Sequence, residues 1–496
     1  MTFPSVSAQS RSPITPGNAS RRVLFPLLPL SFLTLLALIL RLLATHNDLW
    51  LDEILSLQIA RNIASPWEIL TAIHSDNNHY LNSLYLYLVR NSTSDSTFRY
   101  FSVACGTALI PAAYWLGAQH NKATALLLAT LVAFSYPLIH FSSEARGYSG
   151  ALLGTLLAFA SLTRWLQQRS WTTGLIYALS LCFAILSHLT ACLVWLPLAL
   201  GSMLILLTNK PRVRPLLSWL LLNLPPAATL LTLYMLDLRY LIPLGGPPMT
   251  LAHGIARLLA LALGWPARDA LSILLFAVPL VLLIAWQLNT FRRQHNPLWP
   301  LLTLILLTPI ACAFVFQPSF FSPRYFLVEV PFLYLTIALL LTRLSLTRTT
   351  QMLSVGVLVL FITAQSRLYI HFLAEGRGQF TTALQFIAAH TQGPFINIAS
   401  SQDFRATVEL SYFAPKTLGR SRPISYIRQN DQSFFSPDWY ILHAEGYDPE
   451  GPSTLSFPDQ PPWFRVAWFP ASELSGQAWT LYSHHPLDPN PSAFPK

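Results

Sequence analysis

The sequence predicts a polytopic α-helical membrane protein with a small C-terminal α/β domain, and three observations predict it. The 496 residues are 53% hydrophobic and only 10% charged, with a mean hydropathy of +0.45, whereas soluble domains carry about 25% charged residues. Apolar runs of about 18–22 residues recur along the chain, close to the ~20 residues needed to cross a bilayer as a helix. From about residue 368 the composition turns polar, aromatic and proline-rich, with short β-like runs.

The apolar runs place spans at residues 23–43, 100–118, 123–141, 147–163, 171–187, 189–207, 215–236, 270–290, 297–316, 325–342 and 351–367, about eleven by length. Residues 1–22 are rich in Ser, Pro and Thr, end in Arg21-Arg22, and read as a disordered leader. The first apolar run is long for a signal sequence and no small-residue cleavage site follows it, so it reads as an anchor. Alternate loops (11–22, 122, 164–169, 210–214, 292–293 and 343–348) carry basic residues without acid, while Asp and Glu lie in the other loops, at their edges or in the tail. The positive-inside rule then predicts a cytoplasmic N-terminus and an extracytoplasmic C-terminal domain. The net charge of +10 thus reports topology and calls for no nucleic-acid partner.

The run YLNSLYLYLV at residues 80–89 is too short to span and reads as an interfacial helix in a long first outer loop, residues 45–98. A second outer loop, 237–269, carries the break IPLGGPPM and then TLAHGIARLLALALGW, which suits a re-entrant or interfacial helix. The transmembrane domain is thus read as 23–367. The outer domain, 368–496, is read as strands at 394–398, 424–427, 439–443, 464–469 and 479–483, with a helix at 404–413. Cys105, Cys182, Cys192 and Cys312 all lie in apolar runs and read as small core residues, not as a disulfide framework or metal set.

Three polar clusters fall in predicted outer loops. Asp52-Glu53 follows the first span. Such a pair is either simply hydrated at the membrane boundary or serves as general base, cation ligand, or both. His74, Asp76, Asn77, Asn78 and His79 form the second; they suit sugar hydroxyls, an acceptor or a divalent cation, or else a solvated loop that caps the short helix. Glu144, Arg146 and Tyr148 form the third. Glu144 and Arg146 at i, i+2 do not face each other on a helix, and Arg146 either snorkels or offers a bidentate fork to a phosphate. Arg324-Tyr325 enters the tenth span from the same side and supplies a second phosphate partner. His188 lies at the outer end of the fifth span, as a structural or a binding histidine, and Glu329, one turn inside the tenth, is placed to pair with Arg324.

The order of these segments (a first span, DE in a long loop, an H/D/N cluster before YLYL, RYFSVACGTALIPAAYWLGA, then SYPLIHFSSEARGY) resembles the GT-C glycosyltransferases. The likeness is to bacterial relatives of the dolichyl-phosphate-mannose–protein mannosyltransferases and the lipid A aminoarabinose transferases. It covers about residues 23–220 and extends loosely to PRYF at 323–326. The resemblance implies an inner-membrane enzyme that moves a sugar from a polyprenyl-phosphate carrier to a hydroxyl of a lipid, glycan or protein on the outer face, with inversion. It implies Asp52 as general base, Glu53 as the second acid of the pair, Glu144 as a further loop acid, and Arg146 as a phosphate or sugar partner. Relatives carry an HPPLYY-like run where this chain reads NHYLNSLY, a departure on the acceptor side.

The rival reading is a transporter or flippase of lipid-linked glycans. It would call for charged or broken helices near the midplane, whereas these acids gather at one surface. A structural or sensor protein would need one or two spans as an anchor.

Overall fold

The computed structural model describes residues 16–208, 213–241, 251–265, 270–316, 322–345, 347–419, 422–431, 436–445, 450–457, 460–472 and 474–486. Helix α1 (Pro16–Leu43) is followed by a loop region carrying α2 (Leu51–Asn62), α3 (Glu68–Thr71) and α4 (Tyr80–Val89). The bundle continues through α5 (Tyr100–Ala118), α6 (Lys122–Phe134), α7 (Tyr136–Phe141), α8 (Tyr148–Gln168), α9 (Trp171–Ser187), α10 (Cys192–Thr208) and α11 (Val213–Leu236). It closes with α12 (Leu251–Leu263), α13 (Ala270–Arg293), α14 (Leu298–Phe316), α15 (Val330–Leu344) and α16 (Arg348–Glu375). Helices overlie the predicted spans, two of which are divided: 123–141 between α6 and α7, and 325–342 between the turn Pro323–Glu329 and α15. Among the described residues, six helices are long and apolar enough to cross a membrane on their own, and shorter apolar helices accompany them.

Three differences from the sequence reading have local causes. Residues 1–15 of the predicted leader lie outside the described residues, but α1 already begins at Pro16, where proline's fixed φ suits a first helical turn. The span predicted at 123–141 breaks at Ser135 (φ −59°, ψ 114°), because Pro137 has no N–H to continue the ladder and its ring clashes with the preceding turn. The amide of Tyr136, freed there, donates to Gln365 Oε1 of α16 at 2.5 Å. The break IPLGGPPM falls outside the described residues. The helix after it, α12, is not peripheral: its last carbonyls, at Leu261 and Ala262, accept from Gln365 Nε2 at 3.0 Å each, and the Tyr334 hydroxyl also donates to Ala262.

The C-terminal part holds α17 (Phe380–His390), β1 (Ile396–Ser400), α18 (Asp403–Thr417), β2 (Ile424–Tyr426), β3 (Trp439–Glu445), β4 (Thr454–Leu455), β5 (Trp463–Phe469) and β6 (Gln477–Ser483). The sheet order is β2-β1-β3-β6-β5-β4. β2, β1 and β3 run parallel, and β6, β5 and β4 join antiparallel. Only the two-residue β4 lacks a counterpart among the predicted strands.

The sheet's core is not its own. Ile396, Ile398, Ile441 and Leu481 pack with Phe380, Leu384, Leu410 and Phe413, and the same cluster takes in Leu49, Ile54 and Leu57 beside and within α2, together with Phe98 and Ala145. Polar clamps run along this seam. Thr381 donates its amide and hydroxyl to Asp48 at 2.7 and 2.9 Å, and Lys416 and Tyr412 both reach Asp95 at 2.7 Å. Leu384→Ala, in the middle of this shared core, is expected to cost about 2–5 kcal/mol, read as a lowered melting temperature of the detergent-purified protein.

Candidate active site

Asp52 and Glu53 open α2, where two carboxylates suit the positive end of the helix dipole. Being adjacent on a helix, they point apart. Glu53 turns inward and is fully buried. Its Oε1 accepts from Arg99 Nε and from the Ala145 amide, both at 2.7 Å. Its Oε2 accepts from Arg99 Nη2 at 2.6 Å and from the Trp50 amide at 3.3 Å, the latter capping α2. Burial alone would raise this carboxyl; the Arg99 guanidinium overrides burial and holds it below the ordinary range. Arg99 spends its other N–H groups on the carbonyls of Thr45, Asn47 and Asp48. Glu53, expected as the second catalytic acid, has both oxygens engaged by Arg99 and by the amides of Ala145 and Trp50. It ties α2, the start of α5 and the 142–147 loop to one point and keeps no oxygen for a substrate.

Asp52 faces the other way and keeps a share of its surface, 17% of the side chain, open. Two guanidinium groups converge on its Oδ2: Arg324 Nη1 at 3.0 Å and Arg146 Nη1 at 3.1 Å. Arg146 also donates to Asn77 Oδ1. Asn77 in turn donates to the Asp52 carbonyl at 2.8 Å and to Ser56 Oγ at 3.1 Å, so the second loop cluster locks Arg146 to α2. Arg324 lies over the Trp50 ring, 5.4 Å from its centroid. The pairing of Arg324 with Glu329 expected from sequence is replaced by the pairing with Asp52, and both Glu329 oxygens lack a hydrogen-bond partner among the described residues.

The loop between α7 and α8 delivers Glu144, Arg146 and Gly147. Glu144 Oε1 accepts from the Trp50 indole at 2.5 Å, while Oε2 is buried with no hydrogen-bond partner among the described residues. The loop is braced by Arg377, which donates to the His140 carbonyl at 2.7 Å, Ser143 Oγ at 3.1 Å and Asn47 Oδ1 at 3.0 Å. At Gly147 a Cβ would overlap the Ser187 carbonyl oxygen, so only glycine lets this turn approach the end of α9. The Gly147 amide donates to His79 Nδ1 at 3.0 Å. His79 and Tyr148 each pack against His188, ring centroids 4.4 and 4.2 Å away. Burial, with the positive Arg146 and Arg324 nearby, holds both histidines well below the ordinary imidazole value, so they are neutral packing and hydrogen-bonding groups near neutral pH.

The rest of the second cluster goes elsewhere. His74 Nδ1 pairs with Asp237 at 2.8 Å, Tyr80 donates to the same carboxylate at 2.7 Å, and Asn78 uses its amide on the carbonyls of Ile69 and Ile73. These residues fasten the first loop to the end of α11 and do not reach Asp52. Asp76 is exposed in the turn between them, and Tyr325 is half-buried against the bundle core. Among the described residues no three His, Cys, Asp or Glu side chains gather as metal ligands, so the divalent cation considered from sequence has no three-ligand site here. Trp50, Arg99, Asp237 and Arg377 were not singled out from sequence. The one signal was an arginine at the head of an apolar run, Arg99, which needs a buried partner once the run packs.

The turn that carries Arg324 (Pro323–Glu329) also walls a cavity of about 570 Å³, lined by Leu258, Ile284, Leu307, Phe326, Glu329 and Leu333 among others. On α13 its wall runs from Leu280 to Arg292, about 18 Å of helix. The apolar cavity and the arginine-flanked Asp52 thus share the Pro323–Glu329 turn, through Phe326 and Glu329 on one side and Arg324 on the other.

A helical bundle whose long first loop and α7–α8 loop bring acids and arginines to one end has a solved counterpart. The chain is similar in structure to ArnT from Cupriavidus metallidurans, solved bound to undecaprenyl phosphate. The TM-score is 0.50 over 96% of this chain and 100% of that one, at 12% sequence identity. No protein-family model and no curated protein sequence matches the chain.

Two measurements check the site's electrostatics. Arg99→Met strips the partner from the buried Glu53 and is expected to cost about 3–5 kcal/mol, seen as a large fall in melting temperature. Burial pushes the Glu144 carboxyl up to about 7, against an ordinary 4.5. Between those values the folded chain keeps a proton that the unfolded chain has released, so stability falls as pH rises through that window. Melting curves of wild type should drop from about pH 5 to pH 8 more steeply than those of Glu144→Gln, which has no proton to lose.

Proposed function

We propose that this chain is a membrane glycosyltransferase. It takes a sugar from a polyprenyl-phosphate carrier and passes it, with inversion, to a hydroxyl of a lipid, glycan or protein acceptor. The observation that carries this reading is the convergence of Arg146 and Arg324 on the partly open Asp52, with Arg324 on a turn that also lines a leucine-rich cavity. Two guanidinium forks suit a phosphate, and an apolar channel beside them suits an isoprenoid tail. The solved neighbour with the same fold holds undecaprenyl phosphate.

In the reaction the acceptor oxygen forms a bond to the anomeric carbon and gives its proton to Asp52. The bond from that carbon to the carrier's phosphate oxygen breaks, and the phosphate leaves with its electron pair. Arg146 and Arg324 neutralise the charge that develops there. His79, Tyr148 and His188 offer rings and ring nitrogens for the sugar; His79 Nε2 is buried with no partner among the described residues. Carrier-bound sugars are donors where nucleotide sugars are absent, so we place the site on the extracytoplasmic face, the N-terminus in the cytoplasm, and the protein in a bacterial inner membrane, in accord with the basic loops.

The test is sugar transfer from a panel of radiolabelled polyprenyl-phosphate sugars in membranes holding wild type or Asp52→Asn. A base of this kind contributes about 10²–10⁴-fold, so transfer should fall by that factor in the variant. Full activity in Asp52→Asn would rule out Asp52 as the base. No transfer by wild type from any donor would favour transport instead.

A further inference from the structure

The geometry around Asp52 poses a conflict. Inversion needs the base and the leaving phosphate on opposite sides of the anomeric carbon. Yet Asp52 Oδ2 lies 3.0 Å from Arg324 and 3.1 Å from Arg146, the two cations proposed to hold that phosphate. No sugar fits between groups in hydrogen-bond contact. While two N–H groups occupy Oδ2, that oxygen cannot take a hydroxyl proton either.

We infer that Asp52 and the carrier phosphate compete for the same two guanidinium groups, so that donor binding is what uncovers the base. This rests on the glycosyltransferase reading above and adds an order of events to it. In this arrangement Asp52 is the counter-ion of Arg146 and Arg324, the role the phosphate would take. When the carrier enters, its phosphate oxygens accept from the guanidiniums and the ion pairs to Asp52 part. The carboxylate is then free to accept from the acceptor.

The fixed and movable parts of the site are arranged for this exchange. Asp52 cannot follow the arginines, because its neighbour Glu53 is pinned by Arg99 and the Ala145 amide. Arg146 and Arg324 each keep a buried Nε with no hydrogen-bond partner among the described residues, a donor that an arriving anion can use. Both also have an aromatic face to rest on, Tyr148 at 5.8 Å and Trp50 at 5.4 Å, so turning toward a phosphate does not strand the charge. Until the donor is seated, Oδ2 of Asp52 stays engaged by both arginines.

Competition makes a prediction opposite to that for an ordinary active-site contact. Removing the charge of Asp52 should destroy transfer yet tighten carrier binding, because the phosphate no longer has a rival. We would measure binding of undecaprenyl phosphate to purified wild type and Asp52→Asn in lipid nanodiscs, with melting curves as the folding control. The affinity of the variant should rise on the order of tenfold, within the usual range of coupling between two ligands of one site. Equal or weaker binding by a folded variant, with wild type still binding, overturns the competition and leaves the glycosyltransferase reading standing. No binding by wild type removes both. Should Asp52→Asn fail to fold, the structure of wild type with undecaprenyl phosphate decides. Parted contacts from Asp52 to Arg146 and Arg324 support the exchange, and contacts still near about 3 Å, the ordinary hydrogen-bond range, overturn it.

Discussion

The buried ion pair of Glu53 with Arg99 is the constraint on which the site depends. Both side chains are shut off from solvent, where an uncompensated charge would cost several kcal/mol. Only a full set of partners makes the burial tolerable. Those partners come from the end of α1, the start of α2, the head of α5 and the 142–147 loop. Each of these segments also carries or abuts a residue of the open face: Trp50, Asp52, Glu144 or Arg146. Satisfying one carboxylate on the inside therefore fixes the spacing of the charges on the outside.

A second layer of support comes from the C-terminal part. Arg377 braces the loop that holds Glu144, and its own carbonyl accepts from the Gln477 amide at 3.0 Å. The chain approaches so closely that a Cβ on Gly476 would overlap that carbonyl oxygen. Thr381 and Lys416 clamp the same region through Asp48 and Asp95. The sheet thus works as a backing plate for the loops of the bundle.

Much of this architecture was legible in the sequence, because apolar period and length are local signals. The spans and the strands at 394–398, 439–443 and 479–483 could be read from runs of residues alone. The open face was legible for a similar reason: Asp52, Arg146 and Arg324 are polar groups at the edges of apolar runs. What stayed hidden was pairing across distance. Glu53 looked like a twin of Asp52, since nothing local shows that Arg99, 46 residues away, waits for it. His74 and Asn78 looked like substrate ligands because Asp237, at the far end of α11, gave no sign that it would collect them. The break at Ser135 was written in Pro137, but the hydropathy of the run masked it.

The shared core of α2 and the C-terminal sheet also bears on how the protein comes into being. The clamp from Thr381 to Asp48 closes a loop of 333 residues, and the intervening chain has to be threaded into the bilayer before it can close. Helix α2 leaves the ribosome early and then waits, with Ile54 and Leu57 uncovered, for partners synthesised hundreds of residues later. Maturation of this end of the bundle is thereby tied to completion of the chain. Translation products cut short before β6 would sit in the membrane as inserted but unassembled helices, open to quality-control proteases.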